Sequence, residues 1–371
     1  MAKRKICWIT GSSFLDVDIP IIPRLKEIYD ITWFIFRQKE SWYSIEDCEQ
    51  IIKHTGCNGR VFYLETRLAS YDSFKQFYSL VKKAKKTNAD LYYVNYIGIP
   101  FLWPLILLTG IDRKKIIYPC HDYIDHVGVK MRRYYVFTKK LIFNTIPNYQ
   151  FFSKTQRKLF LLDHKNKRTF YAPLALKDFG GEKYNLFNDK TVTFLFFGNI
   201  RENKGMHILI EAVNLLYKKY PGKFRIKIAG NCSNWNRYAQ LIKTPECYIL
   251  DIRRIENDEI PKLFHNAHYL VLPYEDVTQS GPLLISYNYY LPVVASDHDG
   301  FKEYIDNGKT GFLFRNLDAT DLFRTMEKII SIHSNYSTIK QNLKSFVDKH
   351  CSLDSIIAKY ENGFEDILNN E

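Results

Sequence analysis

The chain has 371 residues and a formal net charge of +13. Hydrophobic residues make up 46% and charged residues 25%, which excludes low-complexity disorder, a collagen-like repeat and a disulfide-stapled mini-protein and leaves material for two cores. The charge is one-sided: residues 1–180 hold 30 Lys and Arg against 16 Asp and Glu, whereas residues 181–371 hold 23 against 24. The first half is therefore expected to meet something anionic: nucleic acid, a lipid headgroup or a phosphorylated acceptor.

The cysteines stand at positions 7, 48, 57, 120, 232, 247 and 351. Their number is odd and no pair has CxxC spacing, so neither a zinc site nor a disulfide framework is expected, and the default compartment is reducing. The apolar run from Ile6 to Thr10 is too short for a secretory signal. The longest apolar stretch, Ile97–Leu108, is interrupted by Pro100 and Pro104 and is too short to span a bilayer. The chain is expected to be cytoplasmic, with any membrane contact peripheral, on the cytoplasmic face.

Short β-rich runs then alternate with helical stretches. Strands are expected at Ile6–Thr10, Ile31–Phe36, Val61–Leu64, Leu91–Val94, Ile116–Pro119 and Tyr149–Phe152. They are near-continuous apolar runs, as in strands buried on both faces. Between them, Ser73–Lys86 carries Phe74, Phe77, Tyr78 and Val81 at helical spacing. Residues 177–190 contain the polar, glycine-bearing Asp178-Phe-Gly-Gly-Glu-Lys and read as a linker.

The alternation restarts with strands at Phe194–Phe197, Phe224–Ala229, Tyr248–Ile252, Tyr269–Leu272 and Pro292–Ala295, and helices at Gly205–Tyr217 and Pro282–Tyr290. From Leu317 onward the chain reads as helical. The pattern predicts two Rossmann-like doubly wound α/β domains facing a central cleft, with ligands beyond the carboxyl ends of the strands. The expected division is 1–176, a linker at 177–190, 191–345, and a helical segment at 346–371 that packs back on the first domain.

Five segments carry chemistry. Gly198-Asn-Ile-Arg-Glu-Asn-Lys-Gly205 follows a strand and opens a helix. Gly198 permits the tight turn, and Arg201 and Lys204 bring two cations to a helix N-terminus, an anion site. Thr278-Gln-Ser-Gly-Pro282 joins a strand to a helix, with Ser280 or Gly281 as cap and Pro282 at the first helical position. Asp297–Glu303 follows another strand; Glu303 is expected to begin a short helical turn and to be structural. Cys120-His121-Asp122 ends a strand on the expected ligand face. Thr10-Gly11-Ser12-Ser13 lacks both the GxGxxG and the P-loop pattern but permits a close backbone approach at Gly11.

Taken together, the second half resembles the family 4 glycosyltransferases. The likeness runs through Phe196–Gly205, Ile226–Gly230, Ile255-Glu-Asn-Asp-Glu-Ile-Pro261, Val271-Leu-Pro-Tyr274 with Thr278-Gln-Ser-Gly281, Pro292-Val-Val-Ala-Ser-Asp297 and Asn307-Gly-Lys-Thr-Gly-Phe-Leu313. The first half matches loosely, in layout and at His121-Asp122. The resemblance implies a GT-B fold and a retaining transferase whose donor is a nucleotide-diphosphate sugar, UDP- or GDP-linked, without a metal or other cofactor. It implies that Arg201 and Lys204 neutralise the diphosphate and that Gln279, Ser280 and Gly281 hold it. It implies that His121 stands beside the transferred sugar and that Ile252 and Arg253 lie where the chain passes the base. A lipid-linked glycan acceptor in surface polysaccharide assembly would fit the basic first half, where Lys130–Phe143 and Lys82–Lys86 suit an anionic membrane surface. One departure stands out. Aligned on Pro292, Val277 and Ile285 replace the Glu pair of the wider family, as in its bacterial branch with a TQSG-type loop, and ribose recognition is left without a named residue.

Two other readings fit part of the sequence. A GT-B protein that binds sugar nucleotides without transferring them would suit the missing Glu pair. A basic nucleic-acid-binding protein would suit the charge, but RNP, zinc-finger and KH signatures are absent and the aromatics fall in expected strands.

Overall fold

The computed structural model describes residues 2–39, 41–64, 70–96, 101–124, 133–183 and 191–369. The described chain forms two units. The first comprises Met1–Ala175 with Leu353–Glu371, and the second comprises Leu176–Ser352.

Seven strands build the first unit: β1 (Lys5–Gly11), β2 (Asp30–Gln38), β3 (Asn58–Leu64), β4 (Leu91–Asn95), β5 (Ile116–Cys120), β6 (Asn148–Phe151) and β7 (Arg168–Tyr171). All pair in parallel in the order β3-β2-β1-β4-β5-β6-β7. The order reverses between β1 and β4, the kind of switch point beside which open α/β sheets bind ligands. The central strands β1, β4 and β5 are buried almost throughout, which is why they read as continuous apolar runs.

The C-terminal helix Leu353–Asn369 belongs to this unit, so the chain returns to the sheet with which it began. Its Ile356, Tyr360, Phe364 and Ile367 share a core with Trp8, Trp33 and Tyr93. Tyr360 Oη accepts from Gln150 Nε2 at 2.9 Å, and Gln150 Oε1 accepts from Tyr93 Oη at 2.5 Å. A polar chain thus satisfies the buried amide across helix and sheet. The preceding helix, Tyr336–His350, lies with the second unit.

The second unit has six strands: β8 (Val192–Phe197), β9 (Phe224–Ala229), β10 (Tyr248–Asp251), β11 (Tyr269–Leu272), β12 (Val293–Ser296) and β13 (Gly311–Phe314). They are again all parallel, in the order β10-β9-β8-β11-β12-β13, with the reversal between β8 and β11.

Both doubly wound sheets expected from the sequence are present. Two strands were not foreseen, β7 and β13. Each has four residues and is an edge strand with one neighbour; β7, Arg168-Thr-Phe-Tyr171, is only partly buried and needs no apolar run, whereas β13, Gly-Phe-Leu-Phe, is mostly buried but follows directly on the turn at 307–310. The Asp297–Glu303 segment also differs from expectation. Its helical turn is Asp299–Lys302, and Glu303 ends it rather than beginning it. A Cβ on Gly300 would lie 2.7 Å from the Thr278 carbonyl, so this turn packs directly under the Thr278 loop. Of the expected features, Ile97–Pro100, Lys130–Arg132 and residues 184–190 lie outside the described residues.

Candidate functional site

In the second unit the strand-order reversal opens a cavity of about 520 Å³. The loop after β8 forms one wall, with Gly198, Arg201 and Lys204. The start of the helix Gly281–Asn288, with Gly281 and Pro282, forms another. Two glycines allow these loops to meet. Gly198 has φ +118° and Gly230 has φ +149°, and a Cβ on Gly230 would lie 2.0 Å from the Gly198 carbonyl oxygen. The loops after β8 and β9 are in backbone contact there, which no larger residue permits.

The basic loop is built by one short helical turn, Glu202–Lys204. It closes on Gly205, at φ +62°, before the helix Met206–Lys219. Glu275 donates its amide to the Asn203 carbonyl at 3.0 Å, which ties this loop to the one after β11. Lys204 Nζ sits 3.6 Å from the ring centroid of the buried Tyr274. The ring face attracts the ammonium, yet it removes water from it. Burial, then the field of Arg201, pushes the Lys204 amine down to about 8, with Asp276 partly offsetting them. The sign follows from linkage. The folded protein disfavours the charged form, so the group costs stability below about pH 8, and the cost fades as pH rises from there toward the ordinary 10.5. Anion binding runs the opposite way. Affinity for a nucleoside diphosphate is expected to fall as pH rises through about 8, measured by calorimetric titration across that range, whereas unchanged affinity would show that Lys204 is not a phosphate ligand.

Ser280 caps the helix Gly281–Asn288 by accepting from the Leu283 amide at 3.3 Å. Pro282 has no amide hydrogen, so Gly281 supplies the remaining early donor at the cavity wall. A Cβ on Gly281 would meet no protein atom within 4 Å. Internal packing therefore does not require glycine there; a ligand approaching the backbone would.

The cavity gathers Gly198, Arg201, Lys204 and Gly281 from the residues expected to act together. Ile252, Arg253, Gln279 and Ser280 are not on its wall. Arg253 is occupied elsewhere: its guanidinium donates to both Glu259 carboxylate oxygens, at 2.8 and 2.6 Å, and pairs with Asp251 at 2.8 Å. Its neighbour Arg254 lines the cavity instead, as do Lys177 from the linker and Asn199 and Asn231. The residue types alone could not separate Arg253 from Arg254. The partner that takes Arg253 is Glu259, six residues later in a capping turn. Gln279 Nε2 is buried without a hydrogen-bond partner. Ile285 is buried and lines the cavity, so the wall is apolar at that position. Among the residues on the cavity wall there are four cations and no carboxylate, a field suited to an anion. No group of three or more His, Cys, Asp or Glu able to hold a metal occurs among the described residues.

In the first unit, His121 follows β5 and Gly11 ends β1. Gly11 is a packing glycine, since a Cβ would come within 2.7 Å of Tyr96 and 2.9 Å of Phe36. The His121 ring is stacked between Phe14 (centroids 4.4 Å) and Phe152 (4.3 Å). Burial in this aromatic slot pushes its imidazole down to about 3, so it is neutral at ordinary pH. Its Nε2 lies 3.0 Å from Asn95 Oδ1.

Residues 191–331 match the family model described as glycosyl transferases, group 1. Among curated proteins, none matches the chain. Solved structures are similar over the whole chain. A glycosyltransferase from Rickettsia africae aligns with a TM-score of 0.77 at 15% identity, covering 100% of both chains. The Anabaena protein HepE, in complex with UDP, aligns with a TM-score of 0.75 at 14% identity, covering 98% of this chain and 100% of its own. Sucrose-phosphate synthase from Thermosynechococcus elongatus aligns with a TM-score of 0.73 at 12% identity, covering 100% of both. At these identities the likeness is one of fold. The two Rossmann-like units are those of the GT-B glycosyltransferases.

Proposed function

We propose that this chain is a retaining glycosyltransferase of the family 4 type, which moves a sugar from a UDP- or GDP-linked donor to a lipid-linked glycan acceptor in surface polysaccharide assembly. The observation that carries the reading is the cationic cavity at the β8–β11 reversal, with Arg201, Lys204 and Gly281 on its wall. The group 1 match over residues 191–331 includes this site, and the similarly folded Anabaena protein has been solved with UDP and with UDP-glucose.

The chemistry follows from charge. Breaking the glycosidic bond leaves the bonding electron pair on the β-phosphate oxygen. Two cations and a backbone donor held in place by the fold stabilise that charge more in the transition state than in the ground state. With retention, the acceptor hydroxyl attacks on the face from which the phosphate leaves, and the departing phosphate takes the acceptor proton. No protein base is needed for that step. His121 serves the transferred sugar. The apolar Ile285 leaves the ribose to the polar wall residues, Asn199, Asn231 and Arg254.

The test is a thermal-shift screen with UDP, GDP and ADP and their sugar conjugates, with and without magnesium. A ligand at 100 times its dissociation constant stabilises the fold by roughly 2.7 kcal/mol. A shift with one nucleotide selects the donor set for a turnover assay. A shift without turnover for any donor and acceptor favours a sugar-nucleotide-binding protein, and no shift at all ends the donor-site assignment.

The first unit supports the membrane side of the reading. The helix Arg133–Thr145 carries Lys139 and Lys140 along a surface groove of about 510 Å³, lined also by Ile124, Val136 and Phe143. Ile124, Val136 and Phe137 are exposed. Apolar side chains flanked by lysines suit an anionic leaflet, each cation adding about 1 kcal/mol near the surface. Among the described residues no helix is long and apolar enough to cross a membrane. Co-sedimentation with phosphatidylglycerol vesicles is expected at low salt, to decline with added salt and to be lost in F137D/K140E. Equal binding by wild type and variant would move the contact elsewhere.

A further inference from the structure

Behind His121 lies a buried polar chain for which neither the sequence nor the proposed reaction gives a role. Asp18, fully buried, follows the loop after β1. Its Oδ2 accepts from Trp8 Nε1 at 3.1 Å and from Thr10 Oγ1 at 2.5 Å. Its Oδ1 accepts from Asn95 Nδ2 at 3.3 Å, and Asn95 Oδ1 faces His121 Nε2 at 3.0 Å. Asn95 is fully buried at the end of β4. Four strand ends therefore converge on one imidazole: β1 through Trp8, Thr10 and Phe14, β4 through Asn95, β5 through His121 itself and β6 through Phe152.

The direction of these bonds is set by chemistry. An ionised Asp18 has no hydrogen to give, so Asn95 must turn its amide NH2 toward it. The oxygen of Asn95 then points at His121, and Nε2 can only meet it as a donor. With Asp18 ionised, the neutral ring therefore carries its hydrogen on Nε2 and leaves Nδ1 as an acceptor, which has no hydrogen-bond partner among the described residues. Stacking between Phe14 and Phe152 fixes the ring plane. Burial of a carboxylate is costly, and three donors converging on a single buried Asp are more than packing alone requires.

We propose that Asp18 and Asn95 are positioning residues that hold His121 in the Nε2–H tautomer, so that its Nδ1 accepts a hydrogen bond from a hydroxyl of the transferred sugar. This rests on the glycosyl-transfer reading above. The network itself can be read without any turnover.

The substitution Asp18→Asn inverts the chain. The new side chain must keep its oxygen toward Trp8 and Thr10, so its NH2 faces Asn95. Asn95 then turns its oxygen to position 18 and its NH2 to His121, and Nε2 becomes the acceptor. Asn95→Leu removes the bridge at similar volume and serves if the first variant does not fold. The measurement is nitrogen-15 NMR of histidine-labelled protein, with His121 assigned by its absence in His121→Gln. Spectra are taken at about pH 8.5, above the value of about 7 to which burial raises the Asp18 carboxyl. The wild type is expected to show Nε2–H, Asp18→Asn to show Nδ1–H and Asn95→Leu a mixture. Turnover at saturating acceptor is expected to fall about tenfold in Asp18→Asn, the effect of one lost hydrogen bond, with nucleotide affinity unchanged.

An Nδ1–H wild type overturns the proposal, as does an unaltered tautomer in both variants. A changed tautomer with unchanged turnover overturns the positioning role. If the wild type transfers no sugar at all, the transferase reading fails and takes the sugar contact with it, and the NMR result tells that failure from a failure of the network.

Discussion

Lys204→Met is expected to lower sugar transfer by 10²- to 10³-fold, roughly the effect of removing one fixed donor from a site of developing negative charge, while leaving the protein as stable as wild type or slightly more so. The two halves of this expectation have the same cause. Lys204 Nζ lies on the Tyr274 ring in a poorly hydrated wall, and its amine titrates near 8 because the folded protein disfavours the charge. Methionine keeps the stem against the ring and removes the desolvated ammonium. In the proposed reaction the same ammonium is most effective when the diphosphate arrives, because low hydration strengthens its attraction for the leaving phosphate. Steady-state kinetics against melting temperature decides it. Full activity would remove Lys204 from the mechanism. Equal losses of activity and stability would make it a structural residue.

Gly205→Ala is expected to cost the second unit about 4 kcal/mol or more, among the largest effects a single methyl can have. The glycine holds φ +62°, and a Cβ would lie 1.8 Å from the Pro273 carbonyl oxygen and 2.8 Å from its carbon. Neither is a flexible side-chain end that can step aside. The contact joins the start of the helix Met206–Lys219 to the segment after β11, so relief would displace the Lys204 loop. Gly222→Ala is the control. Gly222 has φ +72° with nothing within 4 Å, so its alanine pays only for the left-handed backbone, about 1 kcal/mol. The difference between the two in urea denaturation isolates the steric clash. Comparable losses would show that the loop gives way, and that the Gly205 contact does not hold the site.

Much of the fold was legible because buried parallel strands leave an unmistakable record. Ile6–Ile9 and Leu91–Val94 are buried at every position because both faces of the sheet are covered, whereas the edge strand β7, Arg168-Thr-Phe-Tyr171, is only partly buried and leaves no such run. The basic loop was legible for a similar reason. Gly198, Arg201, Lys204 and Gly205 are local in sequence, and a strand-turn-helix connection fixes their geometry within a few residues.

The side-chain pairings were another matter. Arg253 and Arg254 are adjacent and identical in type, and only the fold gives Arg253 to Glu259 and Asp251 and leaves Arg254 on the cavity wall. His121 was singled out from its place after a strand, yet its aromatic slot and its connection to Asp18 join residues more than a hundred positions apart. Sequence by itself determined the two doubly wound sheets, the break between them and the loop that carries the paired cations, because periodicity, glycine and charge act over short stretches of chain. Tertiary structure alone decided which cations face the cavity and which hydrogen bonds hold the histidine, because burial and hydrogen-bond direction depend on neighbours that only folding brings together.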